Sequence, residues 1–116
     1  MQTDKQLTGA RGEQQALAYL QARGLRLLEI NFSCKSGEID LIMQDRDCLV
    51  FVEVRQRANM AHGGAAASIS VAKQRRIVRA AQFYLQRHAI ASPCRIDVVA
   101  IDGGQLNWIR NAIEAA

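Results

Sequence analysis

The segment from residue 37 to 57, GEIDLIMQDRDCLVFVEVRQR, limits the possible folds of this chain more than any other. Two runs rich in Ile, Leu, Val and Phe, at residues 38–44 and 48–55, flank a tight polar turn, a pattern that predicts an antiparallel hairpin. Carboxylates interrupt this apolar pattern at Glu38, Asp40 and Glu53. An ionised acid inside a buried strand is costly unless it is compensated, so these acids require an explanation.

The patterns around this hairpin predict two helices and three further strands. Apolar residues at helical spacing favour helices over residues 9–24 and 68–90, the first ending at Gly24 and the second being basic and amphipathic. Runs typical of strands cover the following residues: 25–32, 94–101 and 105–110. The small residues and paired glycines of residues 58–68 predict a flexible loop.

The predicted order of elements is α-β-β-β-α-β-β. A strand, a long helical crossover and another strand imply a parallel pair with a right-handed connection, so we expect a mixed sheet covered by helices. The fold class is therefore α/β. A chain of 116 residues with 49% apolar residues is large enough for a core, and we expect one domain over residues 1–116.

Composition favours a cytoplasmic protein. The three cysteines are an odd number and widely spaced, which indicates reduced packing residues rather than a disulfide framework or a zinc site. No apolar run resembles a signal peptide or approaches the ~20 residues of a membrane span, so no membrane partner is expected.

Positive charge is concentrated in the second half of the chain. No Asp or Glu lies between Val54 and Ile96, although eight Lys and Arg residues do. This segment is either a solvated face with a chance imbalance or a surface that attracts a polyanion such as DNA. The candidate DNA-contacting residues are Arg57, Lys73, Arg75, Arg76 and Arg79.

The acids of the hairpin predict a divalent cation site. If Arg46 and Asp47 form the turn, Asp40 opposes Glu53 on the next strand, with Cβ atoms ~5 Å apart. Repulsion and lost hydration would be relieved by a hard cation such as Mg²⁺ or Mn²⁺. In the first helix, Glu13 lies four residues before Leu17, on the core-facing stripe, so a third acid points inward.

Each acid also has a structural interpretation. Glu38 or Glu53 can pair with Arg55 or Arg57 in the same region of the sheet. Asp97, which alternates with Val99 and Ile101, is expected to have a structural role beside a neighbouring arginine.

Two sets of motifs carry a resemblance to known families. GEIDLI followed by VFVEVR resembles the signature of PD-(D/E)xK nucleases, and an acid on the first helix is similar to the archaeal Holliday junction resolvases. From GARGEQQALAYL through LVFVEVRQR to RIDVVAI, nearly the whole chain resembles the YraN-like family of uncharacterised bacterial proteins, described as endonuclease-like.

This resemblance implies a restriction-endonuclease-like fold and Mg²⁺-dependent hydrolysis of DNA, including branched or junction DNA. It makes Asp40 and Glu53 metal ligands, and Glu13 a supporting ligand or a water-orienting acid. Arg55 stands where the signature has lysine, and since arginine stays protonated it supplies only electrostatic stabilisation. Lys73, four residues before Ile77, either compensates or extends along the apolar face.

Two alternatives remain open at the level of sequence. One is a nucleic-acid-binding relative that keeps the fold without hydrolysis, and the other is a protein-interaction module whose acids are structural. Junction cleavage by so small a domain would be easiest to explain in a homodimer that presents two sites.

Overall fold

The computed structural model describes residues 4–57 and 64–114. Its elements follow the predicted order, with one additional short helix. They are α1 (Asp4–Ala22), β1 (Arg26–Cys34), β2 (Gly37–Asp45), β3 (Cys48–Arg57), α2 (Gly64–Ala67), α3 (Val71–Arg87), β4 (Cys94–Asp102) and β5 (Gln105–Ile113).

The five strands form one mixed sheet in the order β1-β2-β3-β4-β5. β3 and β4 are parallel, and every other neighbouring pair is antiparallel, so the predicted α/β fold with a mixed sheet is confirmed. The parallel pair follows from the crossover through α3, which returns the chain to the starting end of the sheet.

Helices cover both faces of the sheet and create two apolar cores. On one face, Leu20 of α1 packs with Val50 and Val52 of β3. On the other face, Ile77 and Tyr84 of α3 pack with Phe51 and other residues. Burial on both faces explains why β3 reads as a continuous apolar run rather than as a strict alternation.

Local signals account for most helix ends. Gly24, with a φ of 93°, follows α1 as predicted, and the Leu25 N–H donates to the Leu20 carbonyl oxygen. α3 begins after Ser70, whose side chain accepts a hydrogen bond from the Lys73 N–H at 3.1 Å. It ends at Arg87, before the predicted limit.

The prediction of a flexible loop over residues 58–68 is wrong for its second part. Residues 64–67 form the short helix α2, in which Ala65 is fully buried. The Ala65 N–H donates to Asp102 Oδ1 at 2.7 Å, and the Ser68 hydroxyl donates to the Ala65 carbonyl oxygen. These hydrogen bonds fix residues 64–67 as a helix, although their small side chains and glycine favour a loop. Residues 58–63 lie outside the described part of the chain.

The three free cysteines differ in burial. Cys34 and Cys48 are partly buried, as expected of packing residues, whereas Cys94 is exposed, so the packing role predicted for it is wrong. Among the described residues, no helix combines the length and the apolar character needed to span a membrane.

Candidate active site

The predicted hairpin register places Asp40 opposite Glu53. Asp45 pairs with Cys48 across the turn, and regular pairing continues to Leu41 and Val52. At the next position the ladder changes, because Asp40 Oδ2 accepts a hydrogen bond of 2.8 Å from the Val54 N–H. A carboxylate therefore takes the place of a backbone acceptor where β2 and β3 stop pairing regularly.

The strand is irregular at Asp40 itself. Ile39 belongs to the core on the α3 side, whereas Leu41 belongs to the core on the α1 side, although they are two residues apart. In the neighbouring strand, Asn31 has a φ of 52° and lies between the pairs that flank Asp40. A strict period of two would place Ile39 and Leu41 on one face, so sequence pattern alone could not place this carboxylate.

Glu53 lies on the α3 side of the sheet, in line with Phe51. It is 4% exposed, and Glu53 and Asp97 are the buried charged residues of the described chain. The Nζ atom of Lys73, in the first turn of α3, lies 3.8 Å from Glu53 Oε1. The structure therefore directs Lys73, predicted as a DNA contact, towards the acids.

Burial changes the protonation of the acids. Desolvation raises the pKa of Glu53 to about 8, and the charge of Asp40 adds to this rise while Lys73 and Arg55 oppose it. Desolvation also raises the pKa of Asp40, against the Val54 hydrogen bond and the charge of Lys73. Two acids that share a poorly hydrated site cannot both ionise easily.

Glu13 completes the cluster from α1. Desolvation is the main cause that raises its pKa, and the next is the charge of Asp40, with which its carboxyl group also forms a hydrogen bond. We call Glu13, Asp40 and Glu53 the acidic cluster. The inward direction predicted for Glu13 is therefore observed, and α1, β2 and β3 each supply one acid.

Gly12 allows α1 to approach the sheet closely. A Cβ atom at this position would lie 2.6 Å from Oε1 of Gln56, an oxygen that is buried without a hydrogen-bond partner among the described residues. Sequence reasoning missed both residues. The available signal was a glycine inside a helical pattern, since glycine costs about 1 kcal/mol there relative to alanine.

Arg55 is oriented by a residue that the sequence did not single out. Its Nε atom donates to Ser68 Oγ at 3.2 Å, and Ser68 in turn is bonded to Ala65 of α2. Arg55 thus lies near Glu53 and is held from the α2 side. Ser68 could not be connected to Arg55 from sequence because only the fold brings them together.

The remaining candidates are exposed side chains outside the acidic cluster, and two of them, Arg75 and Arg79, line a groove with Ile113 and Glu114 at the end of β5. Glu38 is exposed opposite Ser33 and adds negative charge near Glu13. Arg57 is exposed at the end of β3. The exposed arginines of α3 are Arg75, Arg76 and Arg79. The backbone of Arg76 comes close to the first residue of β2, because a Cβ on Gly37 would lie 3.1 Å from the Arg76 carbonyl oxygen.

The donor atoms of the acidic cluster suit a hard cation. In the described ranges, no three His, Cys, Asp or Glu residues are grouped as a ready-made metal cage. Mg²⁺ often binds through one or two carboxylates, completing its shell with water and substrate phosphate. Asp40 and Glu53 match this smaller requirement, since their carboxylates oppose each other in a desolvated site.

Comparisons with known proteins place the chain in one group of sequences. The family model described as "Uncharacterised protein family UPF0102" matches residues 12–101, which include every candidate residue of the acidic cluster. A UPF0102 protein of Janthinobacterium sp. (strain Marseille) is 61% identical over 113 residues, covering 97% of this chain and 92% of the relative. A second, from Herminiimonas arsenicoxydans, is 57% identical over 113 residues, covering 97% and 91% respectively.

Proposed function

Since the chain belongs to the UPF0102 family, whose members are uncharacterised, we propose that its acidic cluster is the active site of a metal-dependent nuclease acting on DNA. The observation that carries this proposal is that the buried Glu53 lies beside Asp40, whose carboxylate accepts a hydrogen bond from the Val54 N–H. Desolvation, followed by repulsion from Asp40, raises the pKa of Glu53 and makes a cation favourable between the two acids.

Asp40 and Glu53 would hold Mg²⁺ or Mn²⁺, with Glu13 orienting water in its shell. When bound, such an ion lowers the pKa of coordinated water and neutralises charge on phosphate. The protein's part is to fix these oxygens, and the hydrogen bond from Val54 to Asp40 does so at one of them.

The proposed reaction is phosphodiester hydrolysis. A water molecule loses a proton and attacks phosphorus, the bond from phosphorus to the leaving sugar oxygen breaks, and that oxygen takes up a proton. Lys73 is suited to the second of these proton transfers, because its ammonium group, 3.8 Å from Glu53 Oε1, can give a proton to the leaving oxygen. Arg55, held by Ser68, stabilises the negative charge that develops on the phosphate.

Lys73 therefore supplies the ammonium group that the sequence lacks at Arg55. The two residues approach Glu53 from different elements, Lys73 from α3 and Arg55 from β3. The Lys73 ammonium group can serve as a general acid, whereas proton loss from the attacking water would depend on the bound metal, since neither an ammonium group nor a guanidinium group can act as a general base.

The deciding experiment is a nuclease assay with Mg²⁺ and with Mn²⁺ on linear duplex, single-stranded and four-way junction DNA. We expect metal-dependent cleavage that is lost in the Asp40→Asn variant. Glu29→Gln, which changes a partly exposed acid of β1 outside the acidic cluster, is the matched control and should keep full activity. Absence of cleavage of all three substrates by the intact protein would contradict the proposal, and equal cleavage by Asp40→Asn would reveal a contaminant.

One observation favours a second candidate, a DNA-binding protein without hydrolysis. The contact between Lys73 and Glu53 already gives the acids a cation, so the cluster has a structural explanation that needs no metal. In that case the exposed arginines of α3 would bind DNA while no cleavage occurs. Titration calorimetry with Mg²⁺ separates the candidates, since only the nuclease requires binding that depends on Asp40.

A further inference from the structure

A second concentration of charge lies at the opposite end of the sheet from the acidic cluster. It is a cleft of about 510 Å³ between the end of α1, the β2–β3 turn and the facing ends of β4 and β5. We call it the arginine cleft, after the four arginines in its lining: Arg23, Arg46, Arg95 and Arg110. Asp45 at the cleft lies five positions after Asp40 along β2, which corresponds to about 17 Å along an extended strand.

Two of these arginines place their guanidinium groups over aromatic rings. The guanidinium carbon of Arg23 lies 3.4 Å from the ring centroid of Tyr19, and that of Arg110 lies 4.1 Å from the ring of Trp108. The two rings are themselves neighbours in an edge-to-face arrangement, 6.5 Å apart. A stacked guanidinium keeps most of its in-plane N–H donors available, the geometry in which arginine binds phosphate in two-pronged fashion.

The charges of the arginine cleft are not balanced by its own carboxylates. Asp45 is already bound to Arg95, at 2.9 Å. That leaves Asp47 as the free carboxylate of the lining against Arg23, Arg46 and Arg110, none of which joins the ion pairs found among the described residues. Adjacent positive charges without counterions repel each other, and a bound anion would relieve that repulsion.

We propose that the arginine cleft binds a phosphate group. The phosphate belongs either to a nucleic-acid strand or to a small free anion, and both offer the oxygens that stacked guanidinium groups recognise. The site does not depend on the acidic cluster or on hydrolysis. On a nucleic-acid strand it would anchor the backbone at a point distant from the acids, and it would fix the position of the strand without reading its sequence.

The chain reports on this cleft directly, because Trp108 is its one tryptophan. Titration of the whole protein with sodium phosphate, in chloride buffer of constant ionic strength, should change the Trp108 fluorescence and indole N–H resonance in a saturable way. In the Arg23→Ala/Arg110→Ala variant, apparent affinity should fall at least tenfold. Arg87→Ala, which removes an exposed arginine of α3 outside the cleft, should bind phosphate like the unmodified protein.

A second arm identifies the source of the phosphate. If the source is a nucleic-acid strand, an unphosphorylated 12-nucleotide DNA should saturate the Trp108 signal at concentrations at least a hundredfold below those needed with inorganic phosphate. A free anion would instead give saturation with phosphate or pyrophosphate and no response to the DNA. Either result supports the phosphate site.

A third arm guards against loss of folding. Should the double alanine variant fail to fold, Arg23→Lys and Arg110→Lys, made singly, keep the charge but lose the two-pronged geometry. Each should weaken phosphate binding severalfold. The proposal is overturned if neither phosphate nor DNA gives a saturable response, or if the cleft variants that fold bind as tightly as Arg87→Ala.

Discussion

Asp97 and Glu53, the two buried charged residues in the part of the chain that the structure describes, show how differently a sheet can accommodate an acid. Asp97 is fully buried and is surrounded by donors: Arg95 Nε at 3.0 Å, Trp108 Nε1 at 2.9 Å and the Asn111 N–H at 2.8 Å. Glu53 is nearly as buried, but its nearest cation, Lys73, is 3.8 Å away, and the charge of the neighbouring Asp40 adds to the rise of its pKa that desolvation causes. Both residues are buried, but only Asp97 has hydrogen-bond donors around its carboxylate.

The difference teaches that hydrogen bonding, rather than burial, separates a structural acid from a candidate functional one. A buried carboxylate with a full set of donors stabilises the fold and has little capacity left for a ligand. A buried carboxylate that faces another retains capacity to bind a cation. The structural role expected for Asp97 agrees with this network, which ties β4 to β5 and, through Arg95, to the end of β2.

The largest expected effect comes from replacing Asp97, the buried acid that is surrounded by hydrogen-bond donors. Asp97→Ala leaves the Arg95 guanidinium and the Trp108 indole without their buried partner, so the free energy of unfolding should fall by about 3–5 kcal/mol. Urea denaturation followed by circular dichroism measures this loss. Asp47→Ala in the exposed turn is the control and should change stability by less than about 0.5 kcal/mol.

A substitution of Lys73 tests whether the site around Glu53 is catalytic. If the nuclease proposal holds, Lys73→Met should lower turnover roughly a hundredfold while DNA affinity changes little, because its ammonium group faces Glu53 rather than the open surface. Single-turnover cleavage and fluorescence anisotropy measure the two quantities. Arg79→Met, on the exposed face of α3, should do the reverse, weakening DNA binding but not turnover at saturation. Matching losses of affinity in both variants would remove Lys73 from the reaction.

Glu53 also predicts the pH dependence of stability in metal-free buffer. Its pKa rises from 4.5 to about 8 on folding, so between these values the folded state keeps a proton that the unfolded state has lost. Its contribution should therefore fall as pH rises through this window, by up to about 1.4 kcal/mol per pH unit. Glu53→Gln cannot titrate and should flatten the profile, becoming the more stable protein at pH 8. Urea midpoints at pH 5, 6.5 and 8 provide the measurement, and parallel profiles would contradict the assignment.

The smallest expected effect is the gain in stability when Mg²⁺ binds to the acidic cluster. At a Mg²⁺ concentration of ten times the dissociation constant, binding to the folded state alone raises stability by about 1.4 kcal/mol. Thermal unfolding should show this gain in the unmodified protein and no gain in Asp40→Asn. Asp97→Asn, a conservative change outside the acidic cluster, should show the same gain in stability with Mg²⁺, although this variant is less stable without the metal. Stabilisation by Mg²⁺ that survives Asp40→Asn would place the ion elsewhere.

Periodicity and turn chemistry were sufficient for much of the fold. Alternating residues in β2 and β3, with Arg46 and Asp47 as a two-residue turn, predicted the register that sets Asp40 opposite Glu53, and pairing confirms it as far as Leu41 and Val52. The crossover rule predicted the parallel pairing of β3 with β4. These features depend on neighbours in sequence or on general chirality, so a single sequence contains them.

The parts that sequence could not predict depend on distant contacts. α2 has the composition of a loop, and what holds it is Asp102, 37 residues beyond Ala65. The contact of Lys73 with Glu53 depends on how α3 packs across the sheet. The irregularity of β2 at Asp40 breaks the regular register from which the opposition of Asp40 to Glu53 was predicted. In each case the deciding interaction joins elements whose relative placement no local pattern encodes.

The parallel pairing of β3 and β4 also sets the order in which the strands can pair as the chain is synthesised and folds. β1, β2 and β3 are joined by short turns and can pair early, since local contacts form fastest, whereas β4 can join only after α3 has crossed the sheet. A partly synthesised chain therefore holds Asp40 and Glu53 before Lys73 has been docked against them. If the nuclease proposal holds, cleavage therefore requires α3 to be packed on the sheet, and chains that end before α3 would carry the acids without the reactivity.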